Sequence, residues 1–183
     1  MTSTPPSQLR ADCSRCCGLC CVAPAFFKDQ GFAIDKPAGT SCRHLRGDEL
    51  CAIHDELRTR GFPACASFDC YGAGQRVTQQ LFGGASWRAS PEIAAKMFEA
   101  YARYRALHEL LALLELASRR AADAEANALA EIAARIEELC ATGGALADSL
   151  RIEPLREQVL SRARQALAPT ASSVERPLEL GQQ

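Results

Sequence analysis

Five thiols within nine residues, Cys13-Ser-Arg-Cys16-Cys17-Gly-Leu-Cys20-Cys21, constrain this chain more than any other stretch of it. Four more follow at Cys42, Cys51, Cys65 and Cys70, and only Cys140 lies elsewhere. Residues 11–74 therefore hold nine of the ten cysteines. The same stretch is interrupted by Gly18, Pro24, Gly31, Pro37, Gly39, Gly47, Gly61 and Pro63. With so few apolar residues between the breaks, it cannot bury much core alone. It needs staples, and cysteines supply them either as disulfides or as metal ligands.

The choice between the two follows from compartment. Residues 1–8 carry no charged head followed by an apolar run, so they do not read as a secretory signal. Nowhere do about 18 apolar residues run together, so no membrane span is expected. The expectation is a cytoplasmic protein with reduced thiols, and reduced thiols in this number point to metal.

The spacings agree. Cys13-x2-Cys16, Cys17-x2-Cys20, Cys51-x2-His54 and Cys65-x4-Cys70 are knuckles of the kind that close on zinc. Runs of closely spaced thiolates equally suit an iron–sulfur cluster. Neighbouring side chains diverge, so Cys20 and Cys21 serve different metals, or different irons of one cluster, more easily than one tetrahedral ion. Eight thiolates make two four-ligand sites. The candidate ligands are Cys13, Cys16, Cys17, Cys20, Cys21, Cys42, Cys51, Cys65 and Cys70, with one of Cys16 and Cys17 spare. His44 and His54 stand close enough in sequence to ligate or to donate to a thiolate. Arg15, Arg43, Arg46, Arg58 and Arg60 are interleaved with the ligands and could offset their charge.

Outside this island the pattern becomes helical. Residues 1–10 read as disordered, and 75–90 as a loop-rich linker with a strand or turn near Val77 to Phe82. A short helix is expected around Cys51 to Arg60. Ser90-Pro91-Glu92 signals a helix start, with Ser90 as cap and Pro91 in the first turn. Ile93, Met97, Tyr101, Tyr104, Leu107, Leu111 and Leu114 then recur at steps of four and three, and Leu110, Leu113 and Leu116 widen the stripe. A break is expected over 118–124. Leu129, Ile132, Ile136 and Leu139 form a second stripe that Gly143-Gly144 ends. A third helix is placed from near Pro154, with Leu155, Val159, Leu160, Ala163 and Leu167, and 169–183 reads as a flexible tail. The fold class is mainly α. An irregular metal-stapled module over 11–74 is followed by two or three helices, as a hairpin or small bundle, over 91–168.

Five pieces carry a resemblance: Cys-Gly-Leu-Cys-Cys at 17–21, Cys-Arg-His-Leu at 42–45, Leu-Cys-Ala-Ile-His at 50–54, Phe-Pro-Ala-Cys at 62–65 and Phe-Asp-Cys at 68–70. In this order they resemble the cysteine-cluster family named for its Cys-x-x-Cys-x-x-Cys-Cys motif, a zinc- or iron-chelating domain. The likeness covers about residues 13–70. The first motif departs from it: Cys13 lies one residue further from Cys20-Cys21 than the family's first cysteine, where this chain has Ser14. Either the loop holds an extra residue and Cys16 takes the ligand place, or Cys17 does and Cys16 is spare. One branch of the family includes flagellin lysine methylases, in which such a module sits in a much larger enzyme. The segment is also similar to the N-terminal region of some actinobacterial pentapeptide-repeat proteins, but no such repeat follows here.

Net charge is -1, and Lys/Arg and Asp/Glu balance in both parts of the chain. No basic patch points to nucleic acid. The expected function is a metal-binding protein holding iron–sulfur or zinc centres, as a non-catalytic redox, sensing or interaction module. The helical region would meet a protein partner or a second copy. A metalloenzyme is the first alternative, since Cys13-x3-Cys17-x2-Cys20 matches the spacing of radical S-adenosylmethionine enzymes. The strand–helix alternation of their barrel is missing here. A thiolate metal store or chaperone is the second, although the predicted helices carry only Cys140.

Overall fold

A computed structural model describes residues 9–141 and 149–168. The protein is mainly helical, and no strand occurs among the described residues. Three short helices come first: α1 (Leu19–Val22), α2 (Pro63–Ser67) and α3 (Ala73–Arg76). Three long ones follow: α4 (Pro91–Ser118), α5 (Asp123–Ala141) and α6 (Ser149–Leu167). The expected tail over 169–183, the Gly143-Gly144 stop and residues 1–8 lie outside the described residues.

Helix α4 begins as its sequence dictates. Ser90 Oγ accepts from the Ile93 backbone N–H at 3.2 Å, and Pro91 needs no donor there. Its 28 residues span about 42 Å. Met97, Tyr101, Tyr104, Leu107, Leu110, Leu111 and Leu114 are buried along it, while Leu116 is 46% exposed. The chain turns over 119–122 and returns as α5, whose Leu129, Ile132, Ile136 and Cys140 face the same core. Tyr104 Oη donates to the Cys140 carbonyl at 2.7 Å, which brings the middle of α4 to the end of α5. Arg162 reaches Glu125 at 2.8 Å and sets α6 antiparallel to α5.

Helix α6 starts earlier than its sequence suggests, at Ser149, and holds Pro154 inside it. A proline that far in removes one helical hydrogen bond. Burial of Ile152, Leu155, Val159 and Ala163 on one stripe outweighs that loss.

The two ends of residues 9–81 fold onto α4. Leu9, Cys17, Leu19, Val22, Ala73 and Val77 share one apolar cluster with the long helices. The stretch read as linker begins inside this cluster. After α3 comes a turn of π-helix, Val77–Leu81, with Val77 and Thr78 buried. Arg76 is held to Glu137 of α5 at 2.7 Å.

Between α1 and α2 the backbone is irregular, pinned by two isolated antiparallel bridges, Phe26 with Lys36 and Leu45 with Cys51. The second bridge changes the expected helix over Cys51 to Arg60. The Ala52 N–H is spent on the His44 carbonyl at 2.8 Å, so only a short 3-10 turn forms, His54–Glu56.

Candidate metal centre

Helix α1 is a single turn, and it is where the thiols divide. Gly18 precedes it at φ +70°, in a space where a Cβ would stand 2.7 Å from Leu45 Cδ1 and 2.8 Å from the Glu49 carbonyl. Only glycine fits that conformation and that gap. The turn buries Leu19 and Val22 on the α4 side. Cys20 and Cys21 sit about 100° apart around the axis, and their thiols are hydrogen-bonded to one another.

Cys20 falls in with Cys13, Cys16 and Cys70. Cys21 acts on it most, through a hydrogen bond and its charge, and the charges of Cys16 and Cys13 follow; Cys70 and Cys21 act on Cys13, and Cys17 and Cys70 act on Cys16. Gly74 of α3 shows how close two of these sulfurs come. A Cβ there would lie 2.7 Å from Cys16 Sγ and 3.9 Å from Cys70 Sγ. Cys21 falls in with Cys42, Cys51 and Cys65. Its charge acts on all three, and that of Cys42 acts on Cys51 and Cys65. The Cys42 N–H donates to the Cys21 carbonyl at 2.9 Å, which ties the two backbones.

Cys17 belongs to neither set. It is 1% exposed, and every polar group it has is engaged with the helical side. Its N–H donates to Thr78 Oγ1 at 3.3 Å, its carbonyl accepts from Trp87 Nε1 at 2.9 Å, and its thiol donates to Met97 Sδ at 3.4 Å. Of the two sequence alternatives for this pair, Cys16 is the one beside Cys70. The Cys13-x3-Cys17-x2-Cys20 spacing does not bring its three thiols together.

All ten cysteines are free. Among the described residues, no three His, Cys, Asp or Glu side chains are drawn close enough to hold a metal ion as they stand. The two sets are neighbourhoods of thiols, not closed tetrahedra. Burial pushes Cys16 up to about 11 and Cys65 up to about 12. A hydrogen bond with Cys21 lifts Cys20, and the same bond lowers Cys21. Metal binding at either set would have to displace protons.

The histidines are elsewhere. His44 stands edge-on to Phe62 at 5.3 Å, and His54 is exposed beside Asp55 at 3.4 Å. His108 is fully buried on α4 and donates from Nδ1 to the Tyr71 carbonyl at 2.6 Å.

Three residues escaped the sequence reading. Lys36 is 5% exposed, and its ammonium donates to the carbonyls of Val22, Pro24, Pro37 and Thr40 at 2.6–3.2 Å. The charges of Cys42 and Cys21 act on it, so it faces the second set. Of the interleaved arginines, Arg46 and Arg60 are instead paired with Asp48 and Glu56. Gly74 is the second missed residue and Tyr101 the third. Tyr101 is 3% exposed, lies in the field of Cys20, Cys70 and Cys16, and its hydroxyl has no hydrogen-bond partner. The helical stripe marks Tyr101 only as core, and no local pattern marks Lys36 or Gly74.

No family model matches the chain, and no solved structure matches it. It is similar to an uncharacterized protein, YybG, of Bacillus subtilis (strain 168), with 47% identity over 104 residues. That match covers 57% of this chain and 37% of the relative, so the chain spans well under half the relative's length. No helix among the described residues is long and apolar enough to cross a membrane.

Proposed function

We propose that this protein binds metal at two four-thiolate centres, one held by Cys13, Cys16, Cys20 and Cys70, the other by Cys21, Cys42, Cys51 and Cys65. It serves as a non-catalytic redox, sensing or interaction module in a reducing, cytoplasmic setting. The observation that carries the reading is the gathering of eight thiols around the Cys20-Cys21 pair, whose own hydrogen bond joins the two groups, with the ninth thiol of the segment, Cys17, committed to the apolar core. Sulfur-only donor sets of this size suit zinc or an iron–sulfur cluster and suit magnesium or calcium poorly. Gly74 supports the fit, because it leaves free the volume next to Cys16 and Cys70 that a side chain would fill. So does Lys36, a buried cation with only carbonyls for hydrogen-bond partners and the second thiol set beside it. The thiols would have to move together on binding, which irregular backbone between bridges permits more readily than a helix does.

When bound, either metal cross-links the segment, and an iron–sulfur cluster would add one-electron transfer. The chain's own part is to supply the thiolates, shelter Cys16, Cys20 and Cys70 against the core of α4 and set Lys36 beside the second set. The long helices spend their apolar stripes on one another, so a partner or second copy would meet an outer face such as that of Leu116. Anaerobic purification followed by metal and acid-labile sulfide analysis tests the reading. Two zinc per chain without sulfide, or iron with matching sulfide, is expected. Protein that leaves purification metal-free and takes up neither zinc nor iron sinks it.

A further inference from the structure

Two tyrosines sit about one turn apart on α4, and both are buried. Tyr104 donates its hydroxyl to the Cys140 carbonyl. Tyr101 has no such acceptor, and its hydroxyl is sealed from solvent with nothing to bond to. A buried hydroxyl left without a partner is costly, and buried tyrosine hydroxyls usually find one. The groups around this one are selective. Cys16, Cys20 and Cys70 pack against the cluster that contains Tyr101, and all three belong to the first thiol set. Cys20, Cys70 and Cys16 are the thiols that act on it most. No thiol stands within hydrogen-bond reach of the Tyr101 hydroxyl, and metal binding, which must draw these thiols together, would also give them the negative charge that attracts an O–H group.

We infer that the Tyr101 hydroxyl is the hydrogen-bond donor to a thiolate of the centre held by Cys13, Cys16, Cys20 and Cys70. It is a positioning residue: it touches a ligand, not the metal. The inference rests on the two-centre reading above and adds that the centres are unequal. The first is tied through Tyr101 to α4, so filling it satisfies a group that the metal-free protein leaves unpaired. The second has Lys36 beside it instead.

Tyr101→Phe tests this, because it keeps the ring in the core and deletes only the hydroxyl. Full-length protein is compared with the variant, metal-free and loaded with zinc or iron as analysis dictates. Opposite signs are expected. Without metal, the variant melts at the same temperature as the wild type or higher, since the unpaired group is gone. With metal, one centre of the two yields to a competing chelator ~10-fold or more readily, the usual effect of losing a donor to a ligand. If the metal is iron, the potential of that centre also becomes more negative, because hydrogen bonds to sulfur favour the reduced cluster. In a Cys16→Ser background the substitution has no further effect on the remaining centre. A metal-free variant that melts lower, or a loaded variant with both centres unchanged or both equally weakened, overturns the inference while the two-centre reading stands. Wild-type protein that binds no metal overturns both.

Discussion

Gly74→Ala puts the first thiol set to a steric test. The added methyl would lie 2.7 Å from Cys16 Sγ, 3.7 Å from Cys16 Cβ and 3.9 Å from Cys70 Sγ. An unstrained carbon–sulfur contact is longer than the first of these by about 1 Å, so Cys16 must turn away or α3 must shift. Moving α3 is resisted, since Ala73 and Val77 are fully buried and Arg76 is held to Glu137. Cys16 therefore yields. Overpacking of this kind costs about 1–3 kcal/mol, offset in part by the better helix propensity of alanine over glycine. The effect on metal is larger, because ligand distances tolerate only about 0.2 Å. Metal content should fall by half, from two centres to one, with helical circular dichroism retained. Gly47→Ala is the control: nothing lies within 4 Å of a Cβ there, and metal content should not change. A folded Gly74→Ala protein with full metal content would show that Cys16 is not a ligand.

Cys17→Ala should keep both centres and cost about 1 kcal/mol of stability in a denaturant titration, as expected for removing a buried group of that size; loss of metal would put Cys17 back among the ligands. Lys36→Met leaves four carbonyls without their donor and should destabilise the metal-free protein by about 3 kcal/mol or more, with metal lost from one centre; unchanged stability would mean that those carbonyls are satisfied without it. His108 is held below its ordinary value of 6.5 by burial. A depressed folded value gives stability that is present above 6.5 and is lost as pH falls, because the unfolded chain takes the proton more readily. His108→Gln should therefore narrow the difference in metal-free stability between pH 8 and pH 5, and parallel pH profiles for the two proteins would refute this.

What could be read from the sequence was local. The Ser90 cap, the stripe through Tyr101 and Tyr104 and the break after Ser118 depend only on residues within a turn or two of one another. The thiols could be found from spacing, but the hydrogen bond between Cys20 and Cys21 could not. What could not be read depends on closure. Gly72-Ala73-Gly74 looks like a loop, yet Gly74 is small because the Cys16 sulfur packs against α3 there. The stretch from Cys51 looks helical, but its first N–H groups are drawn into pairing with His44. Pro154 looks like a start because proline prefers one, and a buried stripe on both sides of it overrode that preference. Lys36 sits in an unremarkable Asp-Lys-Pro, and only the fold of 22–40 gathers four carbonyls around it.

The doubled cysteines have a consequence for folding. Cys16 and Cys20 are four residues apart, and so are Cys17 and Cys21. A slip of the chain by one residue therefore sets Cys17 and Cys21 where Cys16 and Cys20 belong, with ligands of the same kind at the same spacing. Cys16 and Cys20 alone do not let metal tell the two threadings apart, although the slip also puts Val22 where the second centre has Cys21. The polypeptide can, since the slip moves Gly18 out of its left-handed corner against Leu45 and Glu49 and strips Cys17 of Thr78, Trp87 and Met97. Order of events then matters. Metal given to the unfolded chain should trap a mixture of threadings, while metal given after α4 has docked should find only one.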